Sequence, residues 1–311
     1  MDFVLLFPGQ GSQKVGMGLD LYQNNQAARA IWDRADSLLG FSLTRLAFEG
    51  PEDSLKLTKN AQLALYVSEA AALAALLDSG LRPKASAGHS IGEYAALLAA
   101  GCIRFEDGLM LVEARGSAMN DAASANPGTM AAIMGLDISG VQQAVQAGSA
   151  AGIVGIANFN SAEQIVISGE SGAVEVASEA AKSAGAKRVV PLAVSGGFHS
   201  PLMKTAADQL AESLDKVNFN DPVIPVILNV TAKQASSGDE VKKLLKEQVT
   251  SQVRWHETML TLLNMGCTNF IEAGPGKVLS GMARRYDGAG EVLGLDSAED
   301  LTNIITAWGQ A

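Results

Sequence analysis

Few residues in this chain combine reactive side chains with spacing that could support chemistry. Ser90 stands between Gly88 and Gly92 in Gly-His-Ser-Ile-Gly, where a small-residue strand over 84–88 runs without a spacer into an alanine-rich helix stopped by Gly101. Such a junction forces a sharp turn, and the flanking glycines let neighbouring backbone come close, so Ser90 is a nucleophile candidate on an elbow. By itself the pattern fits a plain strand-to-helix turn as well. A reactive serine needs a base, and the chain has three histidines, His89, His199 and His256. His89 adjoins Ser90 on extended backbone, where successive side chains diverge, and His256 opens a helix without glycine-rich surroundings. His199 follows Ser195-Gly-Gly-Phe and precedes Ser200 and Pro201, a good N-cap and a good first helical residue. The positive end of that helix favours a neutral imidazole, which makes His199 the preferred general base. Arg115 falls on the same helical stripe as Leu111, Val112 and Met119, a stripe that should face the core. A buried guanidinium needs a partner, and a bound anion, a structural ion pair or a snorkelling stem would each account for it.

These groups must be held by elements that the pattern of apolar residues outlines. Residues 2–7 read as a buried strand feeding the turn Pro8-Gly9-Gln10-Gly11, which offers backbone amides at a strand's carboxyl end. Lys14 stands where a dinucleotide-binding loop needs its third glycine, and the Gly-Lys-Ser/Thr of a phosphate loop is missing here and at Lys277-Val278. Residues 60–80 form a helix apolar nearly all round, hence an interior one, and 105–122 the helix of Arg115. After Asn126-Pro127-Gly128 the rhythm changes to βαββαβ, with strands over 130–134, 153–158, 164–168 and 188–194 and helices over 139–148 and 172–185. That is the ferredoxin-like order. The chain then returns through His199 to a helix over 202–217, a strand over 223–230, helices over 239–249 and 255–265, a strand over 268–272, and a final helix, strand and helix. The fold class is α/β. Residues 1–125 and 195–311 form a large subdomain with a central parallel sheet that carries Ser90 and His199, and 126–194 an inserted ferredoxin-like subdomain.

The 311 residues are 48% hydrophobic, enough to bury a large core, and carry a formal net charge of -10. That charge argues against nucleic acid or anionic membrane as main partner, since phosphate affinity needs clustered Lys and Arg. The start lacks a basic signal-peptide region, and Cys102 and Cys267 are isolated small hydrophobes rather than a disulfide or metal framework. A cytoplasmic setting follows from that reading.

Phe7-Pro8-Gly9-Gln10-Gly11-Ser12-Gln13, Gly88-His89-Ser90-Ile91-Gly92-Glu93, Arg115, Phe198-His199-Ser200 and Glu272-Ala273-Gly274-Pro275-Gly276-Lys277 occur in that order across nearly the whole chain. Together they closely resemble the malonyl-CoA:acyl carrier protein transacylases. The resemblance implies an α/β-hydrolase-like core with a ferredoxin-like insert and a ping-pong transfer from malonyl-CoA through Ser90 to the phosphopantetheine thiol of acyl carrier protein. It implies an oxyanion hole from the backbone N–H groups of Gln10 and Ile91, and Arg115 as the malonyl carboxylate's partner. Gln248 matches the residue whose backbone carbonyl orients His199, and Phe198 the position linked to acyl selectivity. It implies no cofactor, no metal and a monomer. An esterase or thioesterase with the same elbow is the competing enzyme reading, and an inactive carrier-docking module the competing non-enzyme one. Lys182, Lys187, Arg188, Lys204, Arg284 and Arg285 are the candidate cations for an acidic carrier, with plain solvated surface charge the competing reading for each one.

Overall fold

A computed structural model describes residues 2–309 of the chain. Its centre is a parallel five-stranded sheet of β1 (Val4–Phe7), β2 (Ala85–Gly88), β7 (Val226–Ile227), β8 (Phe270–Ala273) and β9 (Val292–Leu295), in the order β7-β2-β1-β8-β9. The short β1 works because both its faces are buried, as a central parallel strand requires. Phe3, Leu5 and Phe7 join the larger core with the helix Thr58–Asp78, while Val4 and Leu6 join a second core with Trp255, Met259 and Leu262. Each such side chain contributes about 1.5–3 kcal/mol by leaving water.

The second sheet is antiparallel, built from β3 (Thr129–Met134), β4 (Val154–Ser161), β5 (Gln164–Gly169) and β6 (Arg188–Pro191) in the order β4-β5-β3-β6. The helices Ile138–Gly148 and Ser171–Ser183 cover one face and close a separate apolar core around Ile133, Val141, Ile165 and Val174. The chain is thus an α/β protein with one parallel and one antiparallel sheet. β4 also touches the larger body directly, through a bridge between Asn158 and Val253.

The helix Thr58–Asp78 is the one helix among the described residues long and apolar enough to span a bilayer, and it is buried. It packs against the helices Gln26–Leu39, Gly92–Ala99 and Phe105–Ala125. Cys102 and Cys267 are buried free thiols.

The strand expected over 188–194 ends at Pro191 and the one expected over 153–158 runs on to Ser161, and two further elements differ from the sequence expectation in form. The β-branched run over 223–230 yields only the two residues of β7, because Pro225 has no N–H and the chain folds back after Ile227. Leu228 N–H donates to Lys233 O and Ala235 N–H to Val226 O, with Ala232 in a left-handed conformation at φ 52°. The helix expected over 202–217 opens as a 3-10 turn, Pro201–Met203, before the α-helix Lys204–Leu214.

Candidate active site

Ser90 follows the last residue of β2 by two positions and the helix Gly92–Ala99 starts two positions later, so the serine is the corner itself. Its backbone is left-handed, φ 54°, a conformation costing a non-glycine residue of order 1–3 kcal/mol. The glycines around it are sterically required. A Cβ on Gly88 would lie 1.9 Å from Gly92 O, and one on Gly92 would lie 2.2 Å from Phe7 O. Strand, corner and helix are packed backbone to backbone, which is the physical content of the Gly-x-Ser-x-Gly spacing.

Two distant segments converge on the Ser90 hydroxyl. His199 Nε2 lies 2.7 Å from Ser90 Oγ, and Arg115 Nη2 donates to the same oxygen at 3.1 Å. His199 also has a left-handed backbone, φ 55°, so two of the three non-glycine residues with positive φ among the described residues meet at this oxygen. The Ser200 hydroxyl caps the turn that follows by accepting from Leu202 N–H. On the far side of the ring, Nδ1 faces the carbonyl oxygens of Gln248 at 2.9 Å and Ser251 at 3.1 Å. Carbonyls only accept, so Nδ1 carries the proton and Nε2 presents its lone pair to the Ser90 hydroxyl. Among the described residues no carboxylate stands behind the imidazole.

The imidazole is held neutral, in the direction expected for its place before a helix start. Burial is the largest effect, the Arg115 guanidinium the next, and together they lower His199 to about 3 against the opposing pull of the two carbonyls.

Arg115 is 1% exposed and is paired with amides rather than a carboxylate. Nη1 donates to Gln62 Oε1 at 2.7 Å and Nη2 to Gln248 Oε1 at 3.0 Å, while Nε, also buried, has no partner among the described residues. Its guanidinium carbon sits 5.8 Å from the centre of the Tyr94 ring. A buried cation with a free donor and no salt bridge among the described residues has the chemistry to receive an anion.

Gln248 contributes far more than a carbonyl. Its side-chain amide donates to Ser90 O at 2.9 Å and to Glu93 Oε2, and accepts from Arg115. Glu93, in the first turn of the helix Gly92–Ala99, is 2% exposed and also accepts Asn229 N–H on Oε1 at 3.1 Å. Burial pushes its carboxyl up to about 7, opposed by the Gln248 and Asn229 donors and by Arg115. Glu93 was thus legible as a helix-start residue but not as the buried acid of this network. Gln62, Asn229 and Ser251 carried no local signal at all.

The remaining singled-out residues are placed as follows. Ile91 is buried and Gln10 half-buried, and neither backbone N–H has an acceptor among the described residues. Phe198 is buried in the larger core beside Gly196. His89 turns away from Ser90, with Nε2 2.9 Å from Asn160 Oδ1 and its ring tilted against Trp255, and so ties the elbow to β4. His256 Nδ1 lies 2.8 Å from the Tyr286 hydroxyl. Among the surface cations, Lys182 pairs with Glu179, Lys204 with Asp208, and Arg284 donates to Val292 O. No group of three or more His, Cys, Asp or Glu placed to hold a metal occurs among the described residues.

Residues 4–291 match the family model of the acyl transferase domain. The malonyl CoA-acyl carrier protein transacylase of Bacillus subtilis (strain 168) is 47% identical over 91% of this chain and 89% of its own length. Among solved structures, an acyl-carrier-protein-S-malonyltransferase from Bartonella henselae superposes with a TM-score of 0.95 at 42% identity, covering 99% of this chain and 100% of that one. A malonyl-transacylase in complex with the holo form of its type II PKS acyl-carrier protein gives 0.95 at 38% identity, again over 99% and 100% of the two chains.

Proposed function

The chain belongs to the acyl transferase domain family, and we propose that it moves a malonyl group from malonyl-CoA to acyl carrier protein through a Ser90 ester. The observation that carries this reading is the shared contact at one oxygen: a neutral imidazole and a buried guanidinium both reach Ser90 Oγ. In the first half-reaction Ser90 Oγ attacks the thioester carbonyl and its proton passes to His199 Nε2. The tetrahedral oxygen takes the free N–H groups of Gln10 and Ile91, donors fixed before the charge develops. The carbon–sulfur bond breaks and CoA leaves as the thiol with the proton returned from His199. In the second half, the phosphopantetheine thiol of acyl carrier protein gives its proton to His199 and attacks the Ser90 ester; the bond from the carbonyl carbon to Ser90 Oγ breaks, His199 returns the proton to Oγ, and the carrier leaves with the malonyl group as a thioester.

Arg115 gives the site its preference for an acyl group that ends in a carboxylate. Three of the five guanidinium N–H groups are engaged in the free protein, one of them on Ser90 Oγ. Releasing that one to the malonyl carboxylate, together with a free neighbour, provides a two-donor edge. The bound carboxylate also cancels the positive charge that depresses His199, so the base strengthens when the correct substrate is present. Phe198, packed next to the base in sequence, is assigned to limiting the bulk of the acyl chain.

A serine hydrolase would use the same elbow, but a buried arginine on the nucleophile favours an acyl group that ends in a carboxylate over a neutral one. Intact mass measured after mixing with malonyl-CoA separates the two. A stable malonyl adduct that is lost in Ser90→Ala and discharged by holo acyl carrier protein is the expected result. Free malonate without an adduct, or an adduct that persists in Ser90→Ala, refutes the transferase reading.

A further inference from the structure

The backbone at the nucleophile carries a partner that the family-level reading above does not use. β2 runs parallel to β7 with Ser86 opposite Val226 and Ala87 opposite Ile227. On its other side β2 is matched by β1 through Phe7 opposite Gly88, and His89 N–H donates to Phe7 O. On the β7 side the ladder stops two residues short of the corner, because the chain turns back through the hairpin that ends at Ala235. Gly88 O and Ser90 N–H would therefore lack strand partners on that side, and a buried unpaired backbone group is costly.

The Asn229 side chain takes both places. Its Nδ2 donates to Gly88 O at 2.7 Å and its Oδ1 accepts Ser90 N–H at 2.7 Å. A side-chain amide has one donor face and one acceptor face in a plane, as a peptide does, so it can continue a β-ladder where the strand has left. Asn229 is itself fixed at 0% exposure: its own N–H donates to Glu93 Oε1, and its carbonyl accepts Arg254 N–H at 3.0 Å. Glu93 belongs to the helix that leaves the corner, and Gln248 closes the loop by bonding both Glu93 and Ser90 O. Both polar groups of the Ser90 backbone are thereby held by side chains from distant segments.

We propose that Asn229 is a positioning residue for the nucleophile: its amide replaces the missing stretch of β7 and holds Ser90 in the left-handed conformation that aims Oγ at His199. The inference rests on the reading of Ser90 as the nucleophile, but not on the identity of the acyl group. Ser, Asp or Ala at this position cannot offer the same pair of donor and acceptor, which makes the claim specific to the amide.

The test uses a probe that is indifferent to the acyl substrate. A fluorophosphonate reacts with an activated serine: the Oγ–P bond forms, the P–F bond breaks, fluoride leaves and the hydroxyl proton passes to the base. Labelling rates of Ser90 are measured for the wild type, Asn229→Ala, Asn229→Asp and Leu262→Ala, with Tm recorded for each. Leu262 lies in the second core on the helix Trp255–Asn264 and serves as a truncation that lowers Tm without touching the corner. Asn229→Ala is expected to label about 10–100-fold more slowly, the usual cost of a nucleophile displaced by a fraction of an ångström to 1 Å. Its kcat with malonyl-CoA should fall in parallel while KM stays within about threefold. Asn229→Asp keeps the acceptor for Ser90 N–H and should label at an intermediate rate, while Leu262→Ala should label as the wild type does. Labelling of Asn229→Ala within about threefold of wild type, a wild-type rate in Asn229→Asp, or an equal loss in Leu262→Ala overturns the proposal. A wild type that reacts with the fluorophosphonate but not with malonyl-CoA refutes the substrate reading and leaves the Asn229 result intact. A wild type unreactive to both refutes the two together.

Discussion

Replacing Arg115 by alanine should change which acyl group the protein prefers, and the structure indicates how to read the result. The guanidinium is fully buried and bonds Gln62, Gln248 and Ser90 Oγ, so its loss must disturb two things at once. One is general: Ser90 loses a donor and Gln248 a neighbour, which lowers the rate for every acyl-CoA. The other is specific: the malonyl carboxylate loses a desolvated cation, and a stranded buried charge costs about 3–5 kcal/mol. At about 1.4 kcal/mol per factor of ten, the specific part is about 10²–10⁴ in kcat/KM for malonyl-CoA and absent for acetyl-CoA. The ratio of the two therefore isolates it. The assay is transfer from each acyl-CoA to holo acyl carrier protein, with the product resolved by mass. The malonyl-to-acetyl ratio of kcat/KM should fall by about a hundredfold or more in Arg115→Ala. An equal loss for both substrates would mean that Arg115 acts only on Ser90, and the carboxylate assignment would be withdrawn.

Two further outcomes concern pH and burial. His199 is lowered to about 3 in the folded protein from 6.5 in an unfolded chain, so the unfolded state takes up the proton first on acidification. The stability from burying the neutral ring is complete above about pH 6.5 and is lost as pH falls toward 3, up to about 4–5 kcal/mol. Urea titrations should show wild type losing stability relative to His199→Gln between pH 7 and pH 4, and parallel pH dependence of the two proteins would contradict this. Glu69, on the buried helix Thr58–Asp78 beside Gly274, has neither carboxylate oxygen paired among the described residues. Burial first, then Glu272, holds its pKa well above the usual 4.5, so its cost appears as pH rises above that value. Glu69→Leu should be more stable than wild type by about 1–3 kcal/mol at pH 8, with the gain shrinking at pH 5; a gain independent of pH would refute the argument.

Much of this arrangement could be read from residue order because it depends on local chemistry. The Gly88 and Gly92 spacing, the Ser200-Pro201 start and the arginine on an apolar stripe each report a constraint that acts within a few residues along the chain. The βαββαβ rhythm likewise comes from short-range periodicity, and the antiparallel sheet β4-β5-β3-β6 follows that order. The length of β7 was not legible, because a β-branched run says nothing about the hairpin at Lys233 that ends it. The contributions of Glu93, Gln62 and the Gln248 side chain were likewise hidden, since an amide or acid read along the chain gives no hint of a partner 53 to 158 positions away.

Residue types and spacing therefore determined which side chains could react and the elements that carry them. Only the tertiary structure decided that the imidazole is buried beside a cation, and that an amide completes the strand beside Ser90. The physical reason is range. Turn geometry and capping are settled within one or two turns of chain, whereas desolvation and hydrogen-bond satisfaction depend on everything packed around a group once the chain has closed over it.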